Sequence, residues 1–303
     1  MNINIRGELY SLESPKVMGI LNLTPDSFYD GGKFSSEKKI LTHVLSMLEN
    51  GMDILDVGGY SSRPGAKNIS VKEEEKRVIP ILKYLRKEFK DLIISVDTFR
   101  SEIARKSIEN GADIINDISA GEIDEKIMNV VAENNIPYII MHMKGDPQTM
   151  QKNPNYDDVC RDIISYLALR VKKAREYKIN DLIIDPGFGF GKTLAHNYEI
   201  LSNLHHFEMI DLPLLVGFSR KSMITKALEI EKEFALNGTS VLNTIALMKG
   251  AKILRVHDVK EAKECINLYN LTTNNSGNSW FDRFDNSTNN RYHFSCSDAL
   301  LGV

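Results

Sequence analysis

Short apolar runs recur along most of this chain, and a longer segment whose apolar positions have helical spacing follows each of them. Each run is rich in β-branched residues and stops at a polar residue. The runs between Val17 and about Leu271 are VMGIL, DILDV, LIISV, DII, YIIM, LIID, LPLLVG and ILRV. A continuous apolar strand followed by a helix is typical of a βα unit whose strand is covered on both faces. Eight such units over about 255 residues predict a closed (β/α)8 TIM barrel rather than an open doubly wound sheet.

Glycine residues mark the expected ends of three helices. The segment from Arg100 to Asn110 stops at Gly111, and Leu242 to Lys249 stops at Gly250. An earlier segment stops at Asn50-Gly51 in the same way. Glycine favours these positions because it adopts the left-handed conformation that follows many helices.

A change in composition near the C-terminus predicts two parts. Residues 1–271 are expected to form the barrel, and residues 272–303 a tail outside it. The tail has no Lys and no Glu, and Asn, Ser and Thr cluster in it. Such a composition favours an unstructured extension over a docking segment, although its aromatic residues leave contact with a partner surface open.

Charge and cysteine usage exclude several classes of protein. The chain has 303 residues, with Lys+Arg 38 and Asp+Glu 41, a net charge of -3. No global positive field therefore exists to hold nucleic acid. No apolar run reaches the roughly 18 residues of a membrane helix, and the N-terminus lacks the apolar core of a secretory signal. The widely separated Cys160, Cys265 and Cys296 have no CxxC spacing, which predicts a cytoplasmic protein without a disulfide framework.

The polar residues that end the apolar runs are the candidates for chemistry, because a barrel builds its active site at the carboxyl ends of its strands. They are Asn22, Asp56, Asp97, Asn116, His142, Asp185, Lys221, Arg255 and His257. Asp56, Asp97, Asn116 and Asp185 suit the donor edge of a ring amidine, since a carboxylate accepts two parallel N–H bonds. Arg63, Lys221, Arg255 and His257 suit an oxyanion. The expected ligand has a heterocyclic head and a phosphorylated arm.

A glycine-rich segment, Gly187 to Thr193, resembles a phosphate-binding P-loop but fails that pattern, because Pro186 stands at its first glycine position. We interpret it as a βα loop whose glycines let the backbone approach the ligand. Two other loops, with Asp30-Gly31-Gly32 and Pro64-Gly65, are candidates for a lid. His142 is expected to be a packed histidine rather than a metal ligand.

Eight segments, taken in order, resemble those of the dihydropteroate synthases. They are GILNLTPDSFYDGG (19–32), DVGGYSSRPGA (56–66), SVDTFR (95–100), NDISAG (116–121), MHMKGDPQTMQ (141–151), IIDPGFGFGKT (183–193), LLVGFSRKSMI (214–224) and RVHD (255–258). The resemblance runs from about residue 15 to 270 and omits the tail. It implies a (β/α)8 transferase that joins 6-hydroxymethyl-7,8-dihydropterin diphosphate to p-aminobenzoate and releases diphosphate in folate synthesis. A homodimer and Mg²⁺ are also implied.

The resemblance also assigns roles to individual residues. The pterin would be held by Asp97, Asn116, Met141, Asp185, Phe190, Gly217 and Lys221. The diphosphate would be held by Asn22, Ser62, Arg63, Arg255 and His257, with Asn22 also a ligand of the Mg²⁺. The p-aminobenzoate would be bordered by Phe28, Arg63, Pro64, Phe190, Lys221 and Ser222.

The implied mechanism breaks the C–O bond to diphosphate first and leaves a pterin methylene cation, which the arylamine attacks. The residues expected to act in catalysis are Asp97, Asp185, Lys221, Arg255 and Asp30. Positive charges assist the leaving group, whereas Asp30 and the pterin-side carboxylates stabilise the cation.

The sequence departs from the common family pattern at two positions, and two other functions stay open. Tyr60 stands where many members carry Glu, and Ser62 where Thr is usual.

Another pterin-binding barrel, such as a methyltetrahydrofolate-dependent methyl transferase domain, shares the pterin-side Asp and Asn residues. Lys221, the Arg255-x-His257 pair and the segment Ser62 to Gly65 favour the synthase, since the methyl transferase needs no grip on diphosphate. A non-catalytic pterin-binding barrel is the other alternative.

Overall fold

The computed structural model describes residues 1–23, 33–61, 68–146, 149–151 and 154–273. Eight parallel strands form its barrel, which confirms the predicted fold. They are β3 (Lys16–Asn22), β4 (Ile54–Gly58), β5 (Ile93–Asp97), β6 (Ile114–Asp117), β7 (Tyr138–Met141), β8 (Leu182–Asp185), β9 (Leu215–Val216) and β10 (Ile253–Val256). Neighbours pair in the order β8-β7-β6-β5-β4-β3-β10-β9. A parallel bridge between Ile184 and Leu214 closes the ring between β8 and β9.

Helices between the strands cover the outside of the barrel. They are α1 (Lys33–Glu49), α2 (Val71–Glu88), α3 (Ser101–Glu109), α4 (Lys126–Asn134), α5 (Val159–Glu176), α6 (Leu194–Ser202), α7 (Ser222–Leu228), α8 (Leu236–Met248) and α9 (Val259–Thr273). Two 3-10 helices, Leu204–Ile210 and Lys232–Phe234, join the later units. Gly51, Gly111 and Gly250 follow α1, α3 and α8 with positive φ angles, which confirms the predicted helix ends.

An N-terminal hairpin, which sequence reasoning missed, closes the lower end of the barrel. Its strands are β1 (Asn2–Ile5) and β2 (Glu8–Ser11), which pair antiparallel around a turn at Arg6 and Gly7. Ile3 and Ile5 are buried against the amino-terminal ends of the barrel strands. The Arg6 guanidinium donates to the buried carboxylate of Asp113 at 2.6 and 2.8 Å and so holds the hairpin in place.

The inside of the barrel is divided into an apolar lower layer and a polar upper layer. The lower layer contains Met18, Ile54, Ile114, Ile139, Ile183, Leu215 and Ile253, together with the hairpin residues Ile3, Ile5 and Leu12. Side chains two positions further along a strand lie on the same face. Ile54, Ile114 and Ile183 are therefore followed on the inner face by Asp56, Asn116 and Asp185. These three polar side chains thus lie directly above the apolar lower layer.

The last helix, α9, ends at Thr273 and includes the first two residues of the predicted tail. Residues 274–303 lie outside the described residues. Within the described part of the chain, no helix is long and apolar enough to span a membrane.

Candidate active site

Arg255 joins two acidic residues at the upper end of the barrel. Its Nε lies 2.6 Å from Oδ2 of Asp56, and its Nη2 lies 2.8 Å from Oδ2 of Asp97. The three residues come from β10, β4 and β5, strands that the barrel brings together around its axis. The side chains of Asp97 and Arg255 keep 16% and 21% of their surface exposed, so both face the cavity.

Asp56 is placed differently from its expected position. It lies in the middle of β4 rather than at the end of an apolar run, and it is fully buried. Its oxygens accept hydrogen bonds from Ser95 Oγ at 2.7 Å and Asn116 Nδ2 at 3.2 Å as well as from Arg255. Because protein donors meet both of its oxygens, Asp56 organises its neighbours and presents little acceptor capacity to a ligand.

Asp185 ends β8 and is held by the loop that follows it. The backbone N–H of Gly187 donates to its Oδ1 at 2.7 Å, and the side chain is 8% exposed. Burial raises the pKa of Asp185, while Lys221 and the Gly187 N–H oppose that shift. Among the described residues, no hydrogen-bond donor to the second oxygen, Oδ2, is seen.

Lys221 lies between the acids and an aromatic wall. Its Nζ donates to the carbonyl of Phe188 and sits 4.8 Å from the ring centroid of Phe190. Burial lowers the pKa of Lys221 to about 8, although Asp185 attracts its charge. Lys221 thus carries a proton whose loss falls near physiological pH.

Apolar side chains line one side of the cavity. Met141 at the end of β7 belongs to a cluster with Phe99, Ile118, Met143 and Met150, and Tyr60 and Phe190 pack against it. The flat aromatic ring and flexible methionines suit a planar heterocycle. Tyr60, which stands where Glu is common, also borders an open groove of about 570 Å³ that is lined by Phe99, Arg100 and Lys126.

The basic side of the cavity contains His257 and Ser219. Ser219 Oγ lies 2.9 Å from Nδ1 of His257 and accepts the backbone N–H of the same residue at 3.1 Å. Gly217 is buried beside Arg255, and a Cβ there would lie 3.6 Å from the Arg255 carbonyl oxygen. Sequence reasoning did not identify Ser219, although it stands directly after the apolar run of β9.

Burial and neighbouring charges shift the pKa values of the acids and bases in this cavity. Burial raises the pKa of Asp97, Arg255 opposes the shift, and the charge of Asp56 adds to it. Burial works against the charge of Arg255, but Asp56, Asp97 and Asp185 outweigh it and raise its pKa. Asp185 and Arg255 therefore lie within reach of each other's charge in a single site.

The structure places the remaining predicted residues as follows. Asn22 ends β3 with a half-buried side chain, and Ser222 is exposed at the start of α7. His142 is buried, as expected of a packed histidine, and His/Cys/Asp/Glu groups suited to hold a metal are absent from the residues that the structure describes. Phe28, Asp30, Ser62, Arg63 and Pro64 lie outside the described residues.

Several known proteins are similar to this chain over most of its length. The model of the family described as pterin binding enzyme matches residues 18–257. The dihydropteroate synthase of Escherichia coli strain K12 is 44% identical over 274 residues, covering 90% of this chain and 96% of that protein. The enzyme of Haemophilus influenzae is 41% identical over 276 residues, 90% of this chain and all of that protein.

Solved structures show the same relationship. A crystal structure of the Yersinia pestis dihydropteroate synthase in a sulfonamide drug complex superposes with a TM-score of 0.85 at 41% identity, and covers 90% of this chain and 100% of that one. A Xanthomonas albilineans dihydropteroate synthase with 4-aminobenzoic acid gives a TM-score of 0.83 at 37% identity, with 89% and 97% coverage.

Proposed function

This chain belongs to the dihydropteroate synthases, the pterin-binding transferases of folate biosynthesis, and from that premise we propose how its site divides the work between two substrates. One observation carries the proposal. The acid Asp97 touches the base Arg255 at 2.8 Å, and the charges of Asp185 and Asp97 act on both Lys221 and Arg255 at the upper end of the barrel. A single small molecule can therefore meet both signs of charge.

The pterin head binds on the acidic and apolar side. Asp185 Oδ2 and Asp97 accept N–H groups of the ring, Asn116 adds an amide, and Met141 and Phe190 cover the faces of the ring. The backbone N–H of Gly187 already donates to Asp185 Oδ1. This supports the assignment of the other oxygen, Oδ2, to the ring. Gly217 lets the ring approach the backbone beside Arg255.

The diphosphate binds on the basic side, near Arg255, His257 and Asn22, with Ser62 and Arg63 as further ligands that lie outside the described residues. Arg255 uses two of its five N–H donors on Asp56 and Asp97. Within the part of the chain that the structure describes, its other donors make no hydrogen bond, and we assign them to phosphate oxygens. Arg255 thus orients Asp97, the acid on the pterin side, and also binds the leaving diphosphate.

Mg²⁺ fits this site as a companion of the diphosphate. It needs only one or two protein oxygens when phosphate and water supply the others, and the half-buried Asn22 amide at the end of β3 offers one. When bound, the ion neutralises part of the charge that develops on the leaving diphosphate.

The p-aminobenzoate binds next to the pterin, against Phe190, Lys221 and Ser222, with Phe28, Arg63 and Pro64 as proposed borders outside the described residues. The C–O bond of the pterin methylene group breaks with both electrons passing to the diphosphate oxygen. The amine nitrogen then forms the new C–N bond and loses a proton to solvent. Asp97, Asp185 and Asp30 stabilise the cation, and the Lys221 charge holds the benzoate.

Positional isotope exchange tests this order of steps. Pterin diphosphate labelled with ¹⁸O in its C–O–P bridge is incubated with the protein and Mg²⁺ without p-aminobenzoate. A reversible bond break that precedes amine attack moves label from the bridge into non-bridging oxygens of the recovered substrate. A label that stays in the bridge, while p-aminobenzoate still yields product, would contradict the cation. A non-catalytic barrel would release no diphosphate even with p-aminobenzoate present.

A homodimer is the proposed assembly, through an apolar stripe defined by Phe234, Val241 and Met248. These side chains are 72%, 49% and 74% exposed and stand seven residues apart on and just before α8. Seven residues are about two helical turns, so Val241 and Met248 lie on one face of α8, and Phe234 lies just before that helix. A self-complementary stripe of this kind is buried when two copies meet about a two-fold axis. The buried free thiols of Cys160 and Cys265 support work in a reducing cytoplasm.

A further inference from the structure

Lys192 is a buried lysine that none of the roles above uses. Only 3% of its surface is exposed, at the end of the glycine-rich loop between β8 and α6. Its Nζ lies 2.9 Å from Nδ1 of His142, 2.8 Å from the carbonyl oxygen of Gly187, 2.9 Å from that of Phe190 and 3.3 Å from that of His142. Three of these neighbours are carbonyl oxygens that accept the N–H groups of the lysine, and burial lowers the pKa of Lys192 well below its ordinary value.

These hydrogen bonds hold the glycine-rich loop against the segment that follows β7. Gly187 and Phe190 belong to the loop, whereas His142 directly follows the end of β7. The packing is close, because a Cβ at Gly187 would clash with the carbonyl oxygen of His142. Gly187 also has φ of +70°, which disfavours other residues there. Lys192 therefore bridges two segments that have no room to shift independently.

His142 acts only as an acceptor for this lysine. Burial, followed by the charges of Lys192 and Lys144, lowers the pKa of His142 to about 2. Its ring stays neutral at physiological pH, and its Nδ1 lies 2.9 Å from Lys192 Nζ. The edge of Tyr166 packs against the same ring, with centroids 4.8 Å apart. The His142 acceptor is thus fixed in place as firmly as the backbone carbonyls.

Each partner of Lys192 adjoins a residue proposed to meet the pterin. The N–H of Gly187 holds Asp185 Oδ1, so this glycine is held by Lys192 through its carbonyl and by Asp185 through its amide. Phe190 is itself a proposed wall and lies against the Lys221 ammonium. His142 follows Met141, the opposite wall. Lys192 therefore connects Met141 and Phe190, the two walls of the pterin pocket, with its acid, Asp185.

We propose that Lys192 is a positioning residue for the pterin pocket, which sets Asp185, Phe190 and Met141 at their working separation through Gly187 and His142. This inference rests on the proposed placement of the pterin. It assigns Lys192 no contact with substrate and no step in the reaction.

The test compares Lys192→Met with Lys263→Met. Methionine keeps the length of the lysine stem and removes every donor. Lys263 bonds to Asp53 at 3.1 Å near the lower end of the barrel, away from the site. Its replacement therefore serves as a control for the loss of a partly buried lysine. We expect Lys192→Met to raise the KM for pterin diphosphate and the Kd for the pterin at least tenfold, with a smaller change in kcat. Lys263→Met should lower the melting temperature and leave both constants unchanged.

A second variant keeps the inference open to contradiction if the first does not fold. Lys192→Gln retains two N–H donors and should restore part of the pterin affinity. Wild-type pterin affinity in a folded Lys192→Met protein would overturn the proposal. So would a failure of both variants to fold, since Lys192 would then serve the fold itself. If Asp185→Asn leaves pterin binding intact, the pterin placement is wrong; if it weakens binding and Lys192→Met does not, only the positioning role is wrong.

Discussion

Arg255 Nη2 lies 2.8 Å from Asp97 Oδ2, so the residue proposed to draw away the diphosphate touches a residue proposed to hold the pterin. Sequence reasoning had assigned these two side chains to different parts of the ligand, Asp97 to the heterocyclic head and Arg255 to the phosphorylated arm. Their contact couples the two halves of the substrate, because a shift of the guanidinium towards phosphate also moves the acid that faces the ring.

Arg255→Ala is expected to lower the free energy of unfolding by about 3–5 kcal/mol, because the fully buried Asp56 carboxylate loses its charged partner. Denaturant unfolding measures the loss. Arg105→Ala removes a surface pair with Glu133, whose side chains are 48% and 57% exposed, and should change stability by less than about 1 kcal/mol. An equal effect of the two substitutions would contradict the role of the buried pair.

Asp185→Asn is expected to weaken binding of pterin diphosphate by about tenfold or more, since an acceptor of charge-assisted hydrogen bonds becomes an amide that also donates. Calorimetric titration measures the affinity. Asp181→Asn is the control: this carboxylate precedes β8 at the opposite end and accepts the N–H of Asn4 at 2.8 Å. Asp181→Asn should bind the pterin normally, and unchanged affinity in Asp185→Asn would remove Asp185 from the pterin site.

Activity is expected to fall as the pH rises through about 8, because burial lowers the pKa of Lys221 to that value. Below it the ammonium is charged and attracts the substrate anions; above it the amine is neutral. Asp185, Arg255 and Asp97 are the charged groups that face it. The pH profile of kcat/KM between pH 6 and 10 shows this limb, and Lys221→Arg should shift it to higher pH. A limb that does not move in this variant belongs to another group.

Met248→Asp is expected to convert the proposed dimer into a monomer, because a charge replaces an apolar side chain of the proposed contact. Analytical ultracentrifugation measures the mass in solution. Leu169→Asp is the control, since Leu169 is 67% exposed on α5, away from the Phe234 to Met248 stripe. A wild-type monomer would show that the proposed dimer does not form. A Met248→Asp variant that stays a dimer would show that the contact between copies lies elsewhere.

Deletion of residues 275–303 is expected to shift the melting temperature by less than about 2 °C and to leave turnover intact, because α9 ends at Thr273. Calorimetry and the product assay measure both. Deletion from residue 259 onwards removes the buried Val259, Ala262, Cys265 and Ile266 and should destabilise the barrel strongly. A large loss from the shorter deletion would show that the tail belongs to the fold.

Local sequence patterns were sufficient to predict the barrel but not the hairpin that closes its lower end. The eight apolar runs and the glycines at Gly111 and Gly250 are signals within short windows, and the structure confirms them. The hairpin of β1 and β2 was missed because two strands of four residues carry little periodicity. Ile3 and Ile5 did alternate with polar residues before the Arg6-Gly7 turn, which is the signal that could have found it.

The sequence by itself determined where most strands lie, because each continuous apolar run and the polar residue after it are visible along the chain; Asp56, in the middle of β4, was the exception. The order of the strands in a barrel then places Asp97, Asn116, Asp185 and Arg255 at one end. Only the tertiary structure decided which of them touch. Asp56 and Arg255 stand 199 residues apart, and Lys192 reaches His142 across 50. Such contacts depend on how strands tilt and side chains rotate within a packed interior, which no local pattern records.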